Sequence, residues 1–270
     1  MTDTAPPRAR LALATGLSLA APALAFLAVA QLIAAPRSAD GLTDPATLML
    51  AGLLLFAAGF VDWIDGTVAR RLGVSGSFGR FLDLHCDAVA SAVPPALVLI
   101  WLPPRLGGAV LPAWPMVLVA LAFVVAVVLR HAIVCERQTT KAVTREDVFR
   151  GLVTPPYLHL CAGWLIVLGA GPVLPGTTLD IGALLAANSG VLAGLFALGV
   201  VLINTALPYL RAGTLALRSP WPWWLMLGAV ALVHPGLGLV AMQLFYILTP
   251  LWLRLGLLRA EPYRFGLGRR

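Results

Sequence analysis

Charge is what this chain lacks. Only 11% of its 270 residues are Asp, Glu, Lys or Arg, and 60% are hydrophobic; a soluble domain carries about 25% charged residues. Lys141 is the single lysine, so the net charge of +7 comes almost wholly from arginine. This scarcity excludes an ordinary water-soluble domain. The arginines fall between long apolar runs and form no continuous basic face. That pattern excludes nucleic acid as the partner and points to an anionic membrane surface. Cysteine is also sparse: Cys86, Cys135 and Cys161 are far apart, with no Cys-x-x-Cys pair. Neither a zinc site nor a disulfide framework is indicated. Internal repeats and low-complexity linkers are missing, so residues 1–270 read as one domain. The glycine run "GVSGSFG" is not followed by Gly-Lys-Ser/Thr and follows no strand, which excludes a P-loop.

What is present in abundance is hydrocarbon. A membrane-spanning helix needs about 20 mostly apolar residues. The pattern predicts an all-α, polytopic membrane bundle of eight spans, near 11–35, 46–64, 82–102, 109–130, 155–173, 184–208, 221–233 and 237–256. The first reads as a signal anchor, because its apolar run is too long for a cleaved leader. The last two are expected either to cross or to form a re-entrant or broken pair. With alternating connections and a cytoplasmic N-terminus, every Lys and Arg except Arg37 and Arg105 falls on the inside. Cytoplasmic loops carry the positive excess, so both termini are expected in the cytoplasm, and the connection from span two to span three as well.

That connection carries an unusual set of acids. In "VDWIDGTVARRLGVSGSFGRFLDLHCDAV", residues 61–89, Asp62 and Asp65 stand three apart and Asp83 and Asp87 four apart. On helices these spacings put each pair on one face. Two carboxylate pairs on neighbouring helices repel each other unless something neutralises them. Arg70, Arg71 and Arg80 are near in sequence, but one shared helix face is not guaranteed. Divalent cations are the better neutraliser: carboxylates are hard ligands suited to Mg²⁺ or Mn²⁺. Two such ions suit displacement at phosphorus, because they stabilise both the attacking and the leaving oxygen. Gly66, beside Asp65, and Ala69, one turn on, leave a notch through which a ligand can approach the backbone. A cation transporter is the rival class, since acids inside a membrane also mark ion paths. It leaves Gly66, Ala69, Arg70 and Gly79 unexplained.

The eight residues Asp62, Asp65, Gly66, Ala69, Arg70, Gly79, Asp83 and Asp87 read D-x2-D-G-x2-A-R-x8-G-x3-D-x3-D. This resembles the signature of the CDP-alcohol phosphotransferase family at every specified position. The resemblance implies a multi-pass enzyme of the cell membrane, of the bacterial inner-membrane type, with a six-helix core, often a homodimer. It implies transfer of a phosphatidyl or similar group from CDP-diacylglycerol to a small polar alcohol, releasing CMP at the cytoplasmic face. By position, Asp62, Asp65, Asp83 and Asp87 would bind two divalent cations, Mg²⁺ or Mn²⁺. Asp87 would also act as general base, and Asp62, Gly66, Ala69, Arg70 and Gly79 would contact the nucleotide. The stretches "AVASAVPPALVL" and "EDVFRGLVTPP" are similar to segments of the phosphatidylserine synthases within this family, with Val153 where a proline is usual. Serine is therefore the expected acceptor; glycerol 3-phosphate, inositol phosphate or another polar alcohol is the alternative.

An acceptor bearing a carboxylate or phosphate needs cations, and Arg130 and Arg150 are the candidates. His131 reads as an interfacial histidine, His85 as pointing away from the aspartate face, and Cys86 as packing. "WPWW" at 221–224 reads as an interfacial aromatic belt, and the basic tail "RFGLGRR" as a contact with anionic lipid.

Overall fold

The computed structural model describes residues 8–36, 43–74, 76–102, 113–140, 148–170, 183–184, 188–210, 215 and 221–258. Among these are nine helices: α1 (Arg8–Ala34), α2 (Pro45–Arg71), α3 (Ser77–Trp101), α4 (Ala113–Thr140), α5 (Pro155–Ala170), α6 (Ser189–Ile203), α7 (Trp221–Val233), α8 (Pro235–Ile247) and α9 (Thr249–Arg254). Two three-residue strands, β1 (Val148–Arg150) and β2 (Pro208–Leu210), pair antiparallel with Phe149 opposite Tyr209. Residues 141–147, with Lys141 and Arg145, lie outside the described residues. So do Arg37, Arg105, Arg211, Arg218, both termini and the basic tail.

Sequence chemistry sets the helix starts. Asp44 caps α2 by accepting from the Thr47 amide at 3.1 Å, and Pro45 opens its first turn, where a missing N–H costs nothing. His234 does the same for α8, accepting from the Leu237 amide at 3.3 Å ahead of Pro235.

Helix α5 is the axis of the bundle. Every residue from Pro156 to Val167 is buried except half-buried His159; a helix that is apolar all round belongs in a core. Its two sides are fitted by glycine. A Cβ on Gly52 of α2 would come 2.8 Å from the Ala162 carbonyl, and one on Gly163 would come 2.8 Å from the Gly236 carbonyl of α8. Gly169 likewise meets the Met49 amide at 2.6 Å. Small residues let membrane helices approach closely enough for backbone packing. These meetings run antiparallel on both sides, giving a three-layer stack of α2, α5 and α8. Helix α1 packs on α2 and α3, and α4 lies between α3 and α6.

The outer surface is apolar. Leu13, Leu53, Leu121 and Val125 are each more than half, or half, exposed, which suits lipid rather than water. The protein is a multi-pass membrane helix bundle.

Three expectations need correction. Among the described residues only α1 to α4 are long and apolar enough to cross by length; α5 to α8 have 13 to 16 described residues. At 1.5 Å per residue these reach about 20–24 Å, short of a ~30 Å hydrocarbon core. The sixth span, expected over 184–208, is helical over Ser189–Ile203, and the chain beyond it becomes β2. The eighth breaks at Leu248 into α8 and α9. Pro250 has no N–H to give and its ring crowds the carbonyl a turn earlier. The described residues are thus all-α except for the β1–β2 ribbon.

Candidate active site

Helix α2 ends in a tight reversal. The Val74 amide donates to the Ala69 carbonyl at 3.1 Å and the Gly73 amide to the Arg70 carbonyl at 3.2 Å. Gly73 takes φ +69°, a left-handed conformation that glycine adopts without penalty. The chain then re-enters a helix at Ser77. So short a return sets the end of α2 antiparallel to the start of α3, and it brings the aspartates together in register. Asp62 comes within hydrogen-bonding reach of Asp87, and Asp65 within reach of Asp83. The two expected pairs are therefore interleaved across the helices, in two rungs. Asp65 is buried, only 4% exposed, with Ser18 of α1 within reach of its carboxyl.

Two cavities meet at this cluster. A small one, about 220 Å³, lies between the start of α1 and the α2–α3 reversal. Thr15, Ser18, Asp65, Gly66, Ala69, Arg70, Gly79 and Asp83 are on its wall. All of the expected nucleotide residues except Asp62 are here. Arg70 is folded back along its helix, donating to the Thr67 hydroxyl at 2.9 Å. A Cβ on Gly66 would lie 3.4 Å from its guanidinium, and Gly79 has nothing within 4 Å, so its missing side chain is cavity volume.

The second cavity is about 800 Å³ and mostly apolar. Asp62, Asp83 and Asp87 stand at one side, with Arg130 and His131 of α4, Thr154, His159 of α5, and Gln243 and Tyr246 of α8 around it. Asp83 and Arg80 line both cavities. Asp65 faces only the small one and Asp87 only the large one.

The two candidate acceptor cations are placed differently. Arg130 is buried on the large cavity, and its guanidinium donates to the Arg150 carbonyl. The Arg150 side chain is exposed and is not on the cavity wall, so its backbone rather than its charge reaches the site. His85 is exposed, bonded to the Phe81 carbonyl at 2.6 Å, and Cys86 is buried. His131 lines the cavity, its ring Nδ1 tied to the Val127 carbonyl at 2.9 Å.

Sequence reasoning missed Ser18, His159, Thr154 and Gln243. His159 is seated over Gly59 of α2 and edge-on to Phe56 at 6.1 Å. A polar residue inside an apolar span was the signal for His159 and Gln243.

The donor set fits hard divalent cations. Two carboxylates in hydrogen-bonding reach repel unless a proton or a cation lies between them, and all four oxygen donors come from aspartate. Among the described residues no three acidic, His or Cys groups already converge as a closed metal cage. The four carboxylates form an open pair of rungs instead.

The family model for CDP-alcohol phosphatidyltransferase matches residues 11–233. A protein of Aquifex aeolicus (strain VF5), described only as an uncharacterized protein, is 47% identical over 47 residues. That match covers 17% of this chain and 24% of the relative, so the chain spans about a quarter of its length.

Proposed function

The chain belongs to the CDP-alcohol phosphatidyltransferase family, and from that premise we propose that it moves a phosphatidyl group from CDP-diacylglycerol to a small polar alcohol, releasing CMP. The observation that carries this reading is the placement of the aspartate rungs where a small cavity walled by Gly66, Ala69, Arg70 and Gly79 joins a much larger one. A CDP-linked lipid has the same shape: a compact polar head, long tails, and the reacting diphosphate at the junction.

In this reading Gly66, Ala69, Arg70 and Gly79 seat the nucleotide in the small cavity. Asp62, Asp65, Asp83 and Asp87 are the residues that would hold two divalent cations, Mg²⁺ or Mn²⁺; when bound, these would offset diphosphate charge and stabilise the attacking and leaving oxygens. Asp87, open only to the large cavity, takes the proton from the acceptor hydroxyl. The hydroxyl oxygen bonds to the lipid-side phosphorus as the bond to CMP breaks, and Arg70 offsets charge on the departing nucleotide. Serine is the favoured acceptor, on the strength of the Ser91 and Phe149–Pro156 stretches. Ser91 donates to the buried Thr154 hydroxyl at 2.9 Å, which ties those two stretches together beside the cavity. The arginine bias of the sequence supports a cytoplasmic site.

The test is CMP release from CDP-diacylglycerol by purified protein, with Mn²⁺ or Mg²⁺, against L-serine, glycerol 3-phosphate, inositol phosphate, inositol and choline. Release stimulated by one acceptor supports the reading and names the alcohol; no release from folded protein with any of them overturns it. Chelation with EDTA is expected to abolish release, and added Mn²⁺ or Mg²⁺ to restore it. Release that persists through chelation would remove the cations from the mechanism.

A further inference from the structure

The large cavity is closed on one side by α8, which lies beyond the residues matched by the family model. Gln243 is the polar residue of that wall. It is 5% exposed, and its remaining exposure is to the cavity. No hydrogen bond reaches its amide from any described residue. Its amide is thus left to meet whatever occupies the cavity.

Its location is fixed by backbone packing. Gly236 and Gln243 are seven apart, two turns along one face of α8. A Cβ on Gly236 would meet the Val167 amide at 2.9 Å, and one on Gly163 would meet Leu239 and Val240 at 3.0 Å. Continuing this antiparallel register by one turn sets Gln243 level with His159, which is itself seated over Gly59, one turn before Asp62 and Trp63. Tyr246, three residues further along α8, lies within electrostatic range of Arg130 and donates to the Leu210 carbonyl at 3.1 Å. Gln243 therefore shares with Arg130 and Asp87 the chamber into which an acceptor must come.

Resting on the function proposed above, we propose that Gln243 is a specificity-determining residue: with Arg130 it holds the non-reacting groups of an acceptor that is both an alcohol and an amino acid. A guanidinium matches one carboxylate. A carboxamide both donates and accepts, so it bonds an ammonium through its oxygen and a carboxylate through its nitrogen without adding charge.

The experiment compares wild type with Gln243→Glu and Gln243→Leu in the CMP-release assay, varying acceptor and donor separately. Gln243→Glu keeps the shape and adds a carboxylate facing the acceptor's own. It is expected to lower kcat/KM for L-serine by about tenfold or more while raising that for choline relative to serine. Gln243→Leu is expected to raise the serine KM about tenfold, with the KM for CDP-diacylglycerol within twofold of wild type. Acceptor KM unchanged in both variants overturns the proposal. So do wild-type turnover confined to a phosphate-bearing or purely polyol acceptor, and an equal rise in donor KM. Wild-type protein that releases no CMP at all overturns the underlying function instead, which separates the two failures. Melting temperature is followed in each variant, and Gln243→Glu carries the test if Gln243→Leu does not fold.

Discussion

Replacing Asp87 with Asn is expected to lower CMP release by about 10³-fold or more, the scale of losing a general base. The same variant is expected to bind CDP-diacylglycerol within a few-fold of wild type. Asn keeps the size of the side chain and its reach to Asp62, so the rung survives while the proton acceptor is lost. Asp65→Asn should behave differently. Asp65 faces only the small cavity, beside Gly66 and Arg70, so its loss should fall first on donor binding. Turnover and donor binding, measured in parallel by CMP release and by titration with CDP-diacylglycerol, separate the two. Equal loss of binding in both variants would remove the distinct role given to Asp87.

Gly151→Ala is expected to destabilise the protein by about 3 kcal/mol, from left-handed backbone strain together with overpacking. Gly151 has φ +81°, and a Cβ there would run into the carbonyls of Ile203 and Thr205. Both obstacles are backbone and neither swings away. The cost would also reach the site. Gly151 donates to the Leu207 carbonyl at 2.8 Å, next to the ribbon whose Arg150 carbonyl anchors Arg130. A large drop in melting temperature and a raised acceptor KM should therefore appear together. Gly194→Ala is the control: it lies within α6 with nothing within 4 Å, and alanine favours helix over glycine. If the two variants melt alike, the close approach at Gly151 is not what shapes this corner.

The aspartate rungs were legible in sequence because they depend only on helical spacing and a short return. Three and four residues are the intervals at which a helix repeats its face, and only five residues lie between Arg71, the end of α2, and Ser77, the start of α3. The first four spans were legible for a similar reason: their apolar runs are long. The sixth was overextended because apolarity marks burial, not helix, and Leu207–Leu210 is apolar chain in a ribbon. That ribbon was illegible because its two strands lie far apart in sequence and are joined by backbone hydrogen bonds. Gln243 and His159 escaped because their place depends on which glycines cross, Gly163 on Gly236 and Gly59 under the histidine ring. Spacing within one helix does not encode that.

The position of α8 also orders events in time. Synthesis runs from the N-terminus, and segments fold as they emerge. The aspartates on α2 and α3 are complete well before Gly236 arrives to lock against Gly163. Until then the acids face an unfinished groove without its far wall, where water has free entry. A nascent chain thus holds its reactive residues before it holds the chamber's far wall. The arrival of α8 gives that cluster of acids its far wall, adding Gln243 and Tyr246 to the cavity that Asp87 lines.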